Sequence, residues 1–292
     1  MFYVWNTERV TPDSATNYLT HVAFLQEVQL CIPRPDWKRL PLLARVKRGS
    51  RIRFGKQRNR KQPLTYRLAT RIRGALGLDP DTVTHDDYLT TLYITIMFTG
   101  IGGLFRLGEL LPAQRKNADP AKLIRRGQIH FFNQDFPSAG TTEVARVWLF
   151  KSKTDIFSEG TPVYVPACSN DNLNCPVRWI KATLRLTKTA SSTRASPLFT
   201  NTKGQILLKQ NFTKWLKLQL TGLGFDCKKY SGHSLRIGGA QSLQRAHVPH
   251  HLIQTIGRWR SNAYLLYLKH EPTRLTNLRH HIQRLSTVHN DC

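Results

Sequence analysis

Apolar residues recur at helical spacing along most of this chain and alternate in strand fashion only in one central stretch. Thr11-Pro12 reads as an N-cap and first helical position. Tyr18, Leu19, Val22, Leu25, Val28 and Leu30 then follow as the apolar face of a helix. A second short helix is expected over Trp37 to Lys47, with Pro41 interrupting it. Further helices are expected at Thr65 to Leu76, from the capping box Thr84-His85-Asp86-Asp87 through a long apolar run to Gly100, and from Leu104 to Leu111, where Pro112 stops the chain. Three runs read as strands: Gln128 to Asn133, Val144 to Phe150 and Pro162 to Val165, the last two rich in β-branched and aromatic residues. Helices resume at Pro176 to Leu186, Asn211 to Leu220, Ser234 to Ala246, His250 to Ile256 and Asn262 to Lys269, with a basic last helix over Pro272 to Leu285. The pattern predicts a mainly α fold with a small three-stranded antiparallel sheet.

Between Arg45 and Lys61 the periodicity gives way to charge. Arg45, Lys47, Arg48, Arg51, Arg53, Lys56, Arg58, Arg60 and Lys61 make nine cations in seventeen residues, with no acid. This stretch reads as a linker or arm, dividing a helical module at 1–62 from a larger domain at 63–292. Two helices are little for a module, so the first is expected to be partial. The arm suits a DNA backbone, and it would also serve as a nuclear-import signal.

The whole chain shares that bias. Its 292 residues carry 44 Lys+Arg against 18 Asp+Glu, a formal net charge of +26, while 40% are hydrophobic. This is a folding sequence whose partner is a polyanion, nucleic acid before membrane. The most apolar run, Leu89 to Phe105, contains three glycines and ends at Arg106, which argues against a membrane span. Five widely spaced cysteines without a C-x-x-C argue against a disulfide framework or zinc module and for a reducing compartment. His247, His250, His251 and the pair His280-His281 lack nearby acidic or Cys partners and read as turn residues, so no metal is expected.

Phosphate-binding loops, H-E-x-x-H and G-x-S-x-G are absent from the sequence. What remains is a set of cations and tyrosines. Arg106 lies in an apolar segment with Glu109 one turn on, either a surface pair or a partly buried arginine held by its acid. Lys153 follows the second strand, where a hairpin turn should begin, and taken alone it is a solvated lysine. His233 and Arg236 open a helix that continues through Gly238-Gly239-Ala240, which suits close packing. Tyr264 and Tyr267 lie three apart, a spacing that packing alone explains.

In order, however, these residues resemble the tyrosine recombinase family. Phe105 to Leu111 (FRLGELL) is similar to the family's first-arginine box with its acidic partner. Ser152-Lys153-Thr154 is similar to its hairpin lysine, and Gly232 to Ala240 (GHSLRIGGA) to its H-x-x-R box. Ile256 to Leu268 (IGRWRSNAYLLYL) is similar to the terminal box that holds the nucleophile. The resemblance covers about Pro63 to His270, and its wording is nearest to the Crypton and DIRS-like recombinases of eukaryotic mobile elements. Ser14 to Gln26 also resembles late helices of the family's core-binding domain.

The resemblance implies a catalytic domain preceded by a partial core-binding module, a double-stranded DNA partner, no cofactor, and a nuclear location (cytoplasmic for a prokaryotic source). It implies that Arg106 and Arg236 clamp the phosphate, with Glu109 in support. His233 donates or acts as base, Lys153 protonates the leaving oxygen, and Tyr267, ten residues after Gly257, attacks. The family places His or Trp directly after that glycine. Here Arg258 stands there, and Trp259, one later, is preferred as the equivalent. A type IB topoisomerase and a non-catalytic DNA-binding descendant are the competing readings.

The stripe of Leu275, Leu278, Ile282 and Leu285 packs either at home or on a neighbouring protomer, consistent with a monomer in solution and a tetramer on DNA. Affinity for duplex DNA is expected to fall steeply with salt. Neutralising Arg51, Arg53, Arg58 and Arg60 together should flatten that slope in filter binding without changing the preferred site.

Overall fold

The computed structural model describes residues 10–34, 36, 40–54, 61–116, 118–136, 140–150, 159–168, 172–189 and 191–268. The chain divides into two compact units, 1–60 and 61–292.

In the first unit, Thr11 caps helix α1 (Pro12–Leu30) by accepting the N–H of Ser14, with Pro12 in the first helical position. Cys31 ends it in the left-handed region at φ 52°. Helix α2 (Pro41–Phe54) starts at the proline that was expected to interrupt it, because a first-turn N–H needs no intrahelical partner. It also runs through Arg45 to Phe54, half of the expected linker, so these cations belong to a helix and not to an extended arm. Arg51 is an ion-pair partner of Asp13 on α1 at 3.1 Å, and Arg53 lies over the Phe54 ring. Ala15 and Ala23 are the buried apolar residues of α1. The expected face of Tyr18, Val22, Leu25, Val28 and Leu30 is instead exposed among the described residues. Lys56, Arg58 and Arg60 lie outside the described residues.

The second unit is built around α4 (Tyr88–Gly102), which is apolar on all sides and buried on nearly all of them. The capping box at Thr84 and Asp87 forms as expected and leads through a 3₁₀ turn, His85–Asp87, into this helix. Helix α3 (Tyr66–Leu76) is capped by the Thr65 hydroxyl and closed by Gly77. Helix α5 spans only Leu107–Leu110, shorter than expected. Leu104 adopts φ 48° and Arg106 is extended, so the chain turns before it can coil again.

The sheet has order β1-β2-β3, all antiparallel: β1 (Ile129–Phe136), β2 (Gly140–Leu149) and β3 (Thr161–Pro166). Its register pairs Val147 with Ile129 on one side and Val163 on the other, and Ala145 with Phe131 and Val165. Ala145, Val147 and Leu149 alternate inward with Val163 and Val165 onto the core. The expected turn residue Lys153 lies outside the described residues.

Helices α6 (Pro176–Leu186), α7 (Lys209–Gly222), α8 (His233–Arg245) and α9 (His250–Ile256) complete the unit. Asn262–Leu266 is a 3₁₀ turn where a longer helix was expected. The segment with Leu275 to Leu285 lies outside the described residues. No helix among the described residues is long and apolar enough to cross a membrane.

Helix α4 meets α6 through the buried hydroxyls of Thr95 and Thr183, 2.7 Å apart, and through Thr95 donating to the Trp179 carbonyl. It meets α8 closely: the Leu235 side chain seats on Gly100, where a Cβ would fall 2.8 Å from Leu235 Cδ1. A Cβ on Gly238 would fall 1.9 Å from the Leu64 carbonyl oxygen, and one on Gly239 would fall 2.4 Å from that of Ile101. The helix that carries His233 and Arg236 is thus held flush on the core. Gly238→Ala is expected to cost at least ~1–3 kcal/mol in chemical denaturation, because it drives a methyl into backbone. Gly74→Ala on α3, where a Cβ meets nothing within 4 Å, should stabilise by ~0.5–1 kcal/mol.

Candidate active site

The site forms where three remote pieces of chain meet: the turn between α4 and α5, the first turns of α8, and the segment after α9. Glu109 is the carboxylate among them, with its side chain 4% exposed. Its Oε1 accepts from Arg106 Nη1 at 2.8 Å. Its Oε2 accepts from the Arg106 N–H at 2.9 Å and from Arg258 Nη2 at 2.8 Å. Burial alone would raise the Glu109 pKa. The Arg258 charge, and then the bonds and charge of Arg106, outweigh burial and hold it below the usual carboxylate range. Of the two readings of the Arg106–Glu109 spacing, the partly buried pair is the one found.

Arg258 is turned inward. Besides Glu109 it donates to the carbonyls of Gly103 and Leu104 and lies over the Phe105 ring. Its backbone is left-handed, φ 56°, a strained conformation for a non-glycine residue. Arg236 is 1% exposed. Its Nη1 donates to the Leu104 carbonyl at 2.8 Å and its Nη2 to that of Gly257. Burial first, and then the Arg106 charge, lower its pKa to about 10, so it is a cation at neutral pH. Its Nε has no hydrogen-bond partner among the described residues. Three guanidiniums around one carboxylate leave the cluster net positive, which suits an anionic ligand.

Trp259 covers this cluster. Its ring lies 4.2 Å from the Arg236 guanidinium carbon, 5.5 Å from the Tyr267 ring and 6.2 Å from the Tyr264 ring. Gly257 makes room for the indole, since a Cβ there would overlap it. The two tyrosines part company at this point. Tyr264 is 8% exposed and packs against His250 and Trp259. Tyr267 is half-buried beside Arg236, whose pKa its charge raises. His233 is exposed at the start of α8, three residues before Arg236, and its N–H donates to the Ser231 hydroxyl.

The structure therefore brings Arg106, Glu109, Arg236, Trp259 and Tyr267 together and puts His233 on the helix that carries Arg236. Lys153 lies outside the described residues. The basic arm residues Arg45, Lys47, Arg48, Arg51 and Arg53 lie in the other unit, while Lys61 donates to the Lys228 carbonyl at 2.8 Å. Among the described residues no three His, Cys, Asp or Glu gather as metal ligands, His247, His250 and His251 included.

Sequence reasoning missed the inward role of Arg258. It also missed Gln241, which is 4% exposed and donates to the Tyr267 carbonyl at 3.0 Å, tying that peptide to α8. A polar residue five positions after Arg236 on a helix with buried glycines was the available signal. Lys209 was missed as well; its Nζ would lie 2.7 Å from a Cβ on Gly108, beside the Arg106–Glu109 pair.

No protein-family model and no curated protein matches this chain in sequence. Solved structures do match. The XerH site-specific recombinase bound to palindromic difH substrate in a post-cleavage complex superposes with TM-score 0.52 at 12% identity, over 82% of this chain and 62% of that one. The fold is that of the tyrosine recombinases. The Tn1549 transposon integrase in complex with a circular intermediate DNA matches at TM-score 0.48 and 13% identity, over 91% and 84% of the two chains. The XerA recombinase matches at 0.45 and 15%, over 89% and 80%.

Removing Glu109 leaves two cations without their shared partner. Glu109→Ala is expected to cost ~3–5 kcal/mol in denaturant unfolding. The Glu109 contribution should be complete above its ordinary pKa of 4.5 and fade as the pH falls through its lowered folded value. In Glu109→Gln that part of the acid sensitivity should be absent.

Proposed function

We propose that the protein is a site-specific DNA recombinase that cuts and rejoins strands by tyrosine transesterification. The observation that carries the reading is the meeting of Tyr267, Trp259 and Arg236 beside the Arg106–Glu109 pair, a nucleophile and cations drawn from three remote segments. Cleavage of a phosphodiester gathers charge on its non-bridging oxygens. Arg106, whose side chain is 23% exposed while Glu109 fixes one of its amino groups, clamps them from one side. Arg236, buried beneath Trp259 with both amino groups on backbone carbonyls, contributes its positive charge to the site, and the Trp259 indole N–H would add a donor.

Tyr267 Oη attacks phosphorus as His233 takes its proton. The bond to the 5′ oxygen breaks, and Lys153 protonates that leaving group. The strand remains joined to the enzyme as a 3′-phosphotyrosine, and a new 5′-hydroxyl reverses the step. Bond energy is conserved in the ester, so the chemistry draws on neither ATP nor metal.

In this reading residues 63–292 form the catalytic domain and 1–62 a partial core-binding module. The cations from Arg45 to Lys61 follow the DNA backbone. The protein is monomeric when free and tetrameric on double-stranded DNA, and it serves integration or excision of a Crypton- or DIRS-like element in the nucleus. A second reading, a DNA-binding descendant without catalysis, is favoured by one observation: both Arg236 amino groups are taken by backbone carbonyls.

Incubation with nicked, supercoiled and candidate-site DNA, followed on denaturing gels for adducts and on native agarose for topology, separates the readings. Wild type should form a covalent adduct that survives EDTA and absence of ATP. Tyr267→Phe should form none while still binding DNA, and Tyr264→Phe should retain it. An adduct lost only in Tyr264→Phe would move the nucleophile. Binding without any adduct would favour the descendant, and site-independent supercoil relaxation by a monomer would favour a topoisomerase.

A further inference from the structure

Away from the arginine cluster, two cysteines meet at the end of β3 opposite its turn with β2. Cys168 lies two residues beyond β3, and Cys175 is the N-cap of α6. The Cys168 N–H donates to Cys175 Sγ at 3.4 Å. Tyr66 holds the pair in place from α3: its hydroxyl lies 3.2 Å from Cys168 Sγ and donates to the Asn174 carbonyl at 2.9 Å. Neither forms a disulfide in this structure. We propose that Cys168 and Cys175 form a redox-sensitive pair that a hydroperoxide closes into a disulfide, fastening the end of β3 to the start of α6.

Three properties make Cys175 the attacking sulfur. The Cys168 thiol donates to it, and the backbone N–H groups of Cys168, Arg178 and Val177 add to this. Together they outweigh burial and bring its pKa down to about 6, so it is a thiolate at neutral pH. It stands at the positive end of an 11-residue helix. Finally, though only 2% exposed, it lines a cavity of about 390 Å³ together with Cys168 and the ion pairs Arg178–Asp81 and Lys181–Glu143, which admits a molecule as small as hydrogen peroxide.

The chemistry balances. Cys175 S⁻ attacks the peroxide, forming S–O and breaking O–O. The departing oxygen takes a proton, and the sulfur is oxidised by two electrons to a sulfenic acid. Cys168 sulfur then attacks Cys175 sulfur, forming S–S and breaking S–O, and hydroxide leaves with the Cys168 proton as water. Two thiols and one hydrogen peroxide give one disulfide and two waters. The partner thiol is already a hydrogen-bonding neighbour, so closure needs a local shift only.

The test uses the full chain, since Cys168 and Cys175 fall in one tryptic peptide, the one ending at Arg178. Wild-type protein is treated with hydrogen peroxide, blocked with N-ethylmaleimide, and digested without reduction. Mass spectrometry should find that peptide two hydrogens lighter than its dithiol form and unalkylated, and dithiothreitol should reverse the change. Cys31 and Cys227 should remain alkylated. In Cys168→Ser, dimedone should label Cys175 as the sulfenic acid. The proposal is overturned if the wild-type peptide stays doubly alkylated, or if Cys175 joins Cys31 or Cys227 as readily as Cys168. The wild-type measurement decides the matter even where a variant folds poorly.

Discussion

A single buried carboxylate organises the functional face of this protein. Glu109 is shared by a guanidinium that faces partly outward, Arg106, and one that faces inward, Arg258. Removing one partner of such a pair leaves an uncompensated buried charge, the costly case for a protein interior. Glu109 holds the α4–α5 turn to the segment after α9, and Arg236 ties the start of α8 to both through the carbonyls of Leu104 and Gly257.

The backbone takes part in the same arrangement. Leu104 has a left-handed conformation that a leucine rarely adopts, and its carbonyl accepts from both Arg236 and Arg258. Arg258 is left-handed as well. A hydrogen bond from Arg258 Nη2 to the Leu104 carbonyl joins these two left-handed residues. The glycines of α8 let that helix sit against backbone, so the position of Arg236 is set by close packing. Trp259 then closes over the guanidinium and brings Tyr267 alongside.

Much of this was legible in the sequence, for reasons that differ element by element. Helix α4 announces itself by its capping box and long apolar run, α6 by its opening proline and apolar period, and the strands by β-branched runs bounded by turns. The shortness of α5 was not legible, because it follows from a carbonyl recruited by an arginine 132 residues away. Pro41 misled because proline breaks a helix interior but suits its first turn. The charge run from Arg45 looked like a linker, yet its first half coils, with Arg51 finding Asp13. At the site, the Arg106–Glu109 spacing was readable locally. The inward role of Arg258 was not, since its partners lie some 150 residues earlier in the chain. The pattern also promised a buried face on α1 that is exposed among the described residues.

The central claim is that this cluster of charges serves a tyrosine nucleophile. The most direct measurement is to trap the protein on a suicide DNA substrate, trim the DNA with nuclease, and map the modified peptide by mass spectrometry. The account predicts a nucleotide remnant on Tyr267. A remnant on any other residue, or a cut strand with no remnant on the protein, would contradict it.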